Sequence, residues 1–161
     1  EFEKGFHMFG NLALAMIGMM TAKARNKGKK FIVGETEHPS VIETAKHLES
    51  LGYRAVYIPS PKGVWDMDEY RAALDRDTVL VCAMLVNNET GAVNDIAAIV
   101  KAAKAVSPDI LVHCDAVQGF LKTAQSALPF ADSVSISGHK IGGPKGVGAL
   151  YVSEKILKTK W

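Results

Sequence analysis

Short apolar runs alternate along this chain with segments whose apolar residues recur at helical spacing. The clearest run is Thr78–Met84, and Phe31–Val33, Ala55–Ile58 and Ile110–Val112 are similar. Most of these runs are continuously apolar rather than alternating, which is typical of strands buried on both faces of a parallel sheet. The order of the segments therefore predicts a layered α/β domain with a largely parallel sheet.

The helices are predicted from their caps and from their apolar spacing. Asn11 is a candidate N-cap for the first helix, which we expect to end near Gly28. Pro39 suits the first turn of the second helix. Asp66 begins a segment with the spacing of a capping box, and Asp95 is a candidate cap for the next helix.

Two further strands, Ser133–Ser137 and Gly148–Val152, flank a glycine-rich loop, and Glu154–Lys158 is predicted to begin a last helix. The loop, Gly138–Gly146, superficially resembles a nucleotide-binding P-loop. It lacks the Gly-Lys-Ser/Thr ending of that motif, so we predict a tight turn in which the backbone approaches a ligand.

Composition excludes several classes of protein. The 161 residues fit one domain, and a net charge of +2 gives no reason to expect a nucleic acid or an anionic membrane as partner. Cys82 and Cys114 lie in apolar runs, which favours buried thiols over a zinc site. The most apolar stretch, Leu12–Met20, is too short to span a bilayer, and Glu1–Glu3 lacks the basic start of a signal peptide. We therefore expect a cytoplasmic protein.

Polar clusters follow several of the predicted strands. The carboxyl ends of parallel strands meet at one edge of a sheet, where ligands of α/β proteins bind. We therefore expect the clusters to converge on one crevice if their strands are neighbours. They are Thr36–His38, Asn87–Gly91, His113–Gln118 and Ser137–Lys140.

The residue types in these clusters suit the chemistry of pyridoxal phosphate. Lys140 supplies an amine for a Schiff base, and Asp115 supplies a carboxylate that keeps a pyridine nitrogen protonated. The imidazole of His38 can stack on the ring. His113 and Asp115 have a spacing found in metal sites, but no third ligand is indicated, so no metal is predicted.

The other candidate residues complete a binding set for the same cofactor. Gln118 and Asn88 can hydrogen-bond a phenolic oxygen, while Ser137 and His139 can donate to a phosphate. The sequence therefore predicts a site for pyridoxal phosphate.

These motifs, taken together and in order, resemble those of the cysteine desulfurases, class V members of the aspartate-aminotransferase superfamily. The resemblance runs from about Asn11 to about Tyr151. It is carried by Thr36-Glu37-His38, Val86-Asn87-Asn88-Glu89-Thr90-Gly91, His113-x-Asp115-Ala116-x-Gln118 and Ser135-x-Ser137-Gly138-His139-Lys140-x-x-Gly143-Pro144-Lys145-Gly146-x-Gly148. Four ordered motifs are far more specific than any one of them.

The resemblance implies a role for each candidate. Lys140 would form the Schiff base and move the α-proton, Asp115 would pair with the pyridinium nitrogen, and His38 would stack on the ring and take part in proton transfer. Gln118 would contact the ring oxygen. Asn88 would contact the ring or the substrate, and Ser137 and His139 would contact the phosphate.

The resemblance also implies a fold and an activity. Residues 1–161 would form part of a pyridoxal-phosphate-binding large domain with three layers, α/β/α. The whole enzyme would be a homodimer that converts L-cysteine to L-alanine. It would pass sulfur as a persulfide to an acceptor protein, for iron–sulfur cluster assembly or thiolation.

Two departures from the family pattern lead to a further expectation. Lys4–Gly10 replaces the family's phosphate-binding loop, and the persulfide cysteine and a carboxylate-binding arginine lie downstream of the lysine in the family. We therefore expect the 161 residues alone to be inactive. The alternatives are a selenocysteine lyase, a class V aminotransferase, or a non-catalytic scaffold.

Overall fold

The computed structural model describes residues 6–124, 127 and 129–157. The predictions for Glu1–Glu3 and Lys158 lie outside these residues. None of the helices in the described ranges is long and apolar enough to cross a membrane. In chain order the elements are α1 (Phe6–Lys27), β1 (Lys30–Gly34), α2 (Pro39–Ser50), β2 (Arg54–Ile58), α3 (Met67–Ala73), β3 (Thr78–Met84), α4 (Ile96–Val106), β4 (Leu111–Asp115), β5 (Ser133–Ser137), β6 (Gly148–Val152) and α5 (Glu154–Leu157), with single 3₁₀ turns at Pro61–Gly63 and Gly138–Ile141.

The strands form one six-stranded sheet in the order β2-β1-β3-β4-β5-β6. The first five strands of this order are parallel to one another, and β6 runs antiparallel to β5. The prediction of a largely parallel sheet is confirmed. The four strands that precede the polar clusters, β1, β3, β4 and β5, are neighbours in this order.

Helices cover both faces of the sheet, because successive strand residues point to opposite sides. Ile32 belongs to an apolar cluster with Ile99 of α4, whereas its neighbour Phe31 belongs to a second cluster with Met16 of α1 and Val41 of α2. All five side chains are fully buried. The two clusters give the three-layer α/β/α arrangement.

The cap predictions are confirmed for α3 and α4. Asp66 and Asp95 each accept hydrogen bonds from backbone N–H groups in the first turn that follows. The prediction that Asn11 caps α1 was wrong, because α1 begins at Phe6. No proline separates these two residues, and a glycine inside a helix, here Gly10, costs only about 1 kcal/mol relative to alanine.

Candidate active site

A cavity of about 240 Å³ lies at the carboxyl ends of the four neighbouring strands. Each polar cluster contributes to its wall, so the expected convergence is confirmed. Every residue proposed from the sequence for binding or catalysis lines this cavity. They are His38, Asn88, Asp115, Gln118, Ser137, His139 and Lys140.

Asp115 is the last residue of β4, and it is 6% exposed. Its Oδ1 accepts a hydrogen bond from the backbone N–H of Val117 at 3.0 Å. Burial raises the pKa of Asp115 to about 6, and the hydrogen bond from Val117 opposes that shift. The carboxylate is therefore ionised at neutral pH in a site of low polarity, where it attracts a protonated nitrogen strongly.

His38 lies where the chain leaves β1 and enters α2. It is the N-cap of α2, and its Nδ1 accepts a hydrogen bond from the backbone N–H of Ser40 at 3.2 Å. Because Nδ1 is an acceptor, the neutral ring carries its hydrogen on Nε2. Burial and the positive charge of Lys140 lower the pKa of His38. The imidazole at the cavity wall is therefore neutral at neutral pH.

Ser137 and His139 lie at the end of β5 and share a hydrogen bond of 2.8 Å between Oγ and Nδ1. Lys140 follows them in the 3₁₀ turn, half-buried at the cavity. The loop to β6 includes Gly142 and Gly146, with φ angles of 83° and 82° that favour glycine. The turn returns the backbone to the cavity at Gly146, as the glycine-rich sequence predicted.

Glu37 is a residue whose role the sequence analysis missed. Its Oε1 accepts hydrogen bonds from the backbone N–H of Met84 at 3.1 Å and from the indole N–H of Trp65 at 3.3 Å. Its Oε2 is buried and has no hydrogen-bond partner among the described residues. Burial, reinforced by the negative charge of Asp115, raises the pKa of Glu37 to about 8. At neutral pH Glu37 is therefore protonated, and Asp115 carries the charge.

The position of Glu37 in the sequence gives no signal that separates it from its neighbours. Glu35 also follows the buried strand β1 and precedes the cap of α2, and it is exposed. Trp65 and Met84 are distant from Glu37 in the sequence, so the hydrogen bonds that they donate to it could not be predicted from the sequence.

Substituting Glu37 by glutamine is expected to flatten the pH dependence of stability. Folding raises the pKa of Glu37 from 4.5 to about 8, so the folded protein binds this proton more tightly than the unfolded chain does. The stability that the protonated Glu37 contributes is therefore complete below pH 4.5 and is lost as the pH rises towards 8. The free energy of unfolding of Glu37→Gln minus that of the unaltered protein should therefore rise by about 2 kcal/mol as the pH increases from 6 to 8. Urea unfolding of the cofactor-free whole protein measures this difference.

The matched control for this substitution is Glu43→Gln. Glu43 lies on the surface of α2 and pairs with Lys46, and a surface pair of this kind contributes little to stability. Equal pH profiles for Glu37→Gln and the unaltered protein would contradict the assignment of a protonated Glu37.

The two cysteines are fully buried and form no disulfide. Burial raises the pKa of both thiols, so Cys82 and Cys114 are protonated and shielded rather than nucleophilic. In the described part of the chain, no three side chains of the types that bind metals lie together.

Comparison with known proteins identifies the family. The model of the family described as aminotransferase class-V matches residues 10–160. The chain belongs to the class-V aminotransferase family. Pyridoxal phosphate is the cofactor of this family.

Curated relatives of this chain include proteins named cysteine desulfurase IscS. The protein from Methylobacillus flagellatus is 45% identical over 145 residues, which cover 88% of this chain and 35% of the relative. The protein from Escherichia coli O139:H28 is 46% identical over 134 residues, covering 81% of this chain and 32% of the relative. The chain thus spans about a third of the length of the curated relatives it matches.

Two solved structures share the fold of this chain. A NifS-like protein matches with a TM-score of 0.87 and 30% identity, over 92% of this chain and 41% of the other. A structure described as SspA in complex with cysteine matches with a TM-score of 0.80 and 35% identity, over 90% and 42% of the two chains.

The residues of the cavity fit pyridoxal phosphate by their chemistry. The wall combines a primary amine on Lys140 and a buried carboxylate on Asp115 with a neutral imidazole on His38. The Ser137–His139 pair adds hydrogen-bonding groups that a phosphate can use. The aldehyde, the ring nitrogen, the ring face and the phosphate of the cofactor each have a matching group in the cavity wall.

Proposed function

We propose that the whole protein that carries this chain is a pyridoxal-phosphate-dependent cysteine desulfurase, which converts L-cysteine to L-alanine and passes on the sulfur as a persulfide. The observation that carries the proposal is the meeting of Lys140, Asp115 and His38 at one cavity. Relatives named cysteine desulfurase, 44–46% identical to this chain, support the choice of substrate.

Each cavity residue then has a task that its environment suits. When bound, pyridoxal phosphate supplies an electron sink for negative charge on the substrate's α-carbon. The amine of Lys140 holds the cofactor and moves a proton at Nζ. The Asp115 carboxylate holds the proton on the ring nitrogen, because it is ionised and buried. The neutral imidazole of His38 would pack against the ring without adding charge.

The remaining residues orient the cofactor. Ser137 and His139, which share a hydrogen bond, would bind the phosphate. Gln118 and Asn88, which also line the cavity, would bind the ring oxygen. These contacts would hold the cofactor beside Lys140.

We also propose that the whole protein is a cytoplasmic homodimer that hands sulfur to an acceptor protein, for iron–sulfur cluster assembly or thiolation. An exposed apolar groove supports contacts beyond this chain. Leu14 and Leu157 are 67% and 64% exposed and line this groove together, and a contiguous apolar surface of this kind is typical of sites where proteins meet.

Borohydride reduction of the whole protein loaded with pyridoxal phosphate is expected to attach the cofactor to Lys140. Reduction turns the linkage to the lysine amine into a stable secondary amine, which peptide mass mapping locates. A tag on Lys145, or no tag, would contradict the assignment. Product analysis with L-cysteine, selenocysteine and a keto-acid acceptor then separates a desulfurase from a selenocysteine lyase and from an aminotransferase.

A further inference from the structure

The turn between β1 and α2, residues 35–38, brings His38 to the cavity and is anchored to the next strand by a buried side chain. Glu37 directly precedes His38 and is 6% exposed. Its Oε1 accepts a hydrogen bond from the backbone N–H of Met84, the last residue of β3, at 3.1 Å. Met84 lines the cavity and is the register partner of Asp115. The carboxyl of Glu37 therefore ties the residue before His38 to the strand end next to Asp115.

A second donor fixes the direction of the Glu37 side chain. The indole N–H of Trp65 donates to the same oxygen at 3.3 Å. Gly34 makes room for this hydrogen bond, because a Cβ on Gly34 would clash with Nε1 of Trp65 and would lie 2.9 Å from Oε1 of Glu37. Two N–H donors that converge on one buried oxygen leave the carboxyl little freedom to move.

The preceding residue of the turn is also bound to the chain that leaves β3. Nδ2 of Asn87 donates to the backbone carbonyl oxygen of Thr36 at 3.0 Å. Oδ1 of Asn87 accepts backbone N–H groups of its own loop, so it is the amide nitrogen that faces Thr36. Glu37 lies between Thr36 and His38, and its anchor therefore acts most directly on the position of the imidazole.

The chemistry of Glu37 suits an anchor close to Asp115. Burial raises the pKa of Glu37 to about 8, so at neutral pH it adds no second negative charge near Asp115. The neutral carboxyl accepts the N–H groups of Met84 and Trp65 as an amide oxygen would. A buried acceptor that holds two buried donors is costly to remove, because both donors then lose their partner.

We propose that Glu37 is a positioning residue for His38: by anchoring the turn that precedes α2 to the end of β3, it holds the imidazole where it can stack on a bound ring. The inference rests on the proposed function, because the ring is that of the proposed cofactor. It gives a task to a buried carboxyl that does not itself line the cavity.

The test is a double-mutant cycle on the whole protein, with the Kd for pyridoxal phosphate at neutral pH as the readout. Glu37→Met keeps a side chain of similar length and removes the acceptor. Glu37→Met and His38→Ala are each expected to weaken cofactor binding about fivefold, the size of one contact between stacked rings. In the His38→Ala background, Glu37→Met should cause no further weakening, because the imidazole that it positions is gone.

Two further variants separate positioning from stability. Glu37→Gln keeps an oxygen that accepts both N–H groups and should bind the cofactor as tightly as the unaltered protein. Asp132→Ala removes another buried carboxyl, which accepts the backbone N–H of Val112 at 2.8 Å and a hydrogen bond from Lys104 at 2.6 Å. Asp132 precedes β5, at the end of the sheet opposite the cavity, so its loss should lower stability and leave the Kd unchanged.

The outcomes separate the inference from the proposed function. An unchanged Kd in either single variant, losses that add in the double variant, or an equal loss in Asp132→Ala would overturn the role of Glu37. If Glu37→Met does not fold, Glu37→Asp decides: its shorter side chain keeps the carboxyl but displaces the turn, and an unchanged Kd overturns the inference. Failure of the unaltered protein to bind pyridoxal phosphate would overturn the proposed function and this inference with it, whereas binding without turnover of L-cysteine would overturn the proposed function alone.

Discussion

Replacing Lys140 by alanine in the whole protein is expected to lower the turnover of L-cysteine at least about a thousandfold while leaving the fold intact. The substitution removes both the amine that holds the cofactor and the base that moves the α-proton, and proton transfer by a positioned side chain alone contributes roughly 10²–10⁴. Lys140 lies in a 3₁₀ turn at the cavity, outside the strands that build the core. Alanine formation and circular dichroism measure the two effects.

The matched control is Lys145→Ala. Lys145 lies in the same loop but is exposed and does not line the cavity, so its loss should leave turnover nearly unchanged. Turnover by Lys140→Ala within about tenfold of the unaltered protein would refute the role of Lys140 in proton transfer.

Asp115→Asn is expected to retain the cofactor and to lose at least about nine-tenths of the turnover. A neutral amide cannot hold the proton on the ring nitrogen, so the electron sink is lost. A hydrogen bond between charged groups contributes about 1.5–3 kcal/mol, which corresponds to a tenfold or larger change in rate. Cofactor absorbance and the rate of alanine formation, measured on the same sample, separate binding from turnover.

Asp95→Asn provides the control for the same chemical change. Asp95 caps α4 and does not line the cavity, and asparagine is an equally good cap, so both stability and turnover should persist. Near-normal turnover in Asp115→Asn would count against the proposed chemistry.

The secondary structure could be predicted from local sequence because each element has a local cause. The apolar run of Thr78–Met84 gave β3 with the same bounds, and the carboxylates of Asp66 and Asp95 fixed the starts of α3 and α4. The start of α1 could not be predicted in this way. Asn11 is a residue type that often caps the start of a helix, but α1 starts earlier, at Phe6, so Asn11 lies inside the helix.

The candidate site was predictable because its residues occur in motifs directly after strands. The motifs alone did not bring His38, Asp115 and Lys140 together. That required β1, β4 and β5 to lie in one parallel sheet with β3 between β1 and β4. The order of strands depends on how the helices pack on both faces, which is a property of the whole fold.

The sequence by itself determined the type of each element and the chemistry available at the strand ends. Only the tertiary structure decided the protonation of Glu37 and the hydrogen bonds that join His113 to Ser133 and Ser135. Both depend on burial and on partners distant in the chain, such as Trp65 for Glu37 and Ser133 for His113. Water competes for a polar group wherever it has access, so the folded surroundings of a group set its charge and its partners.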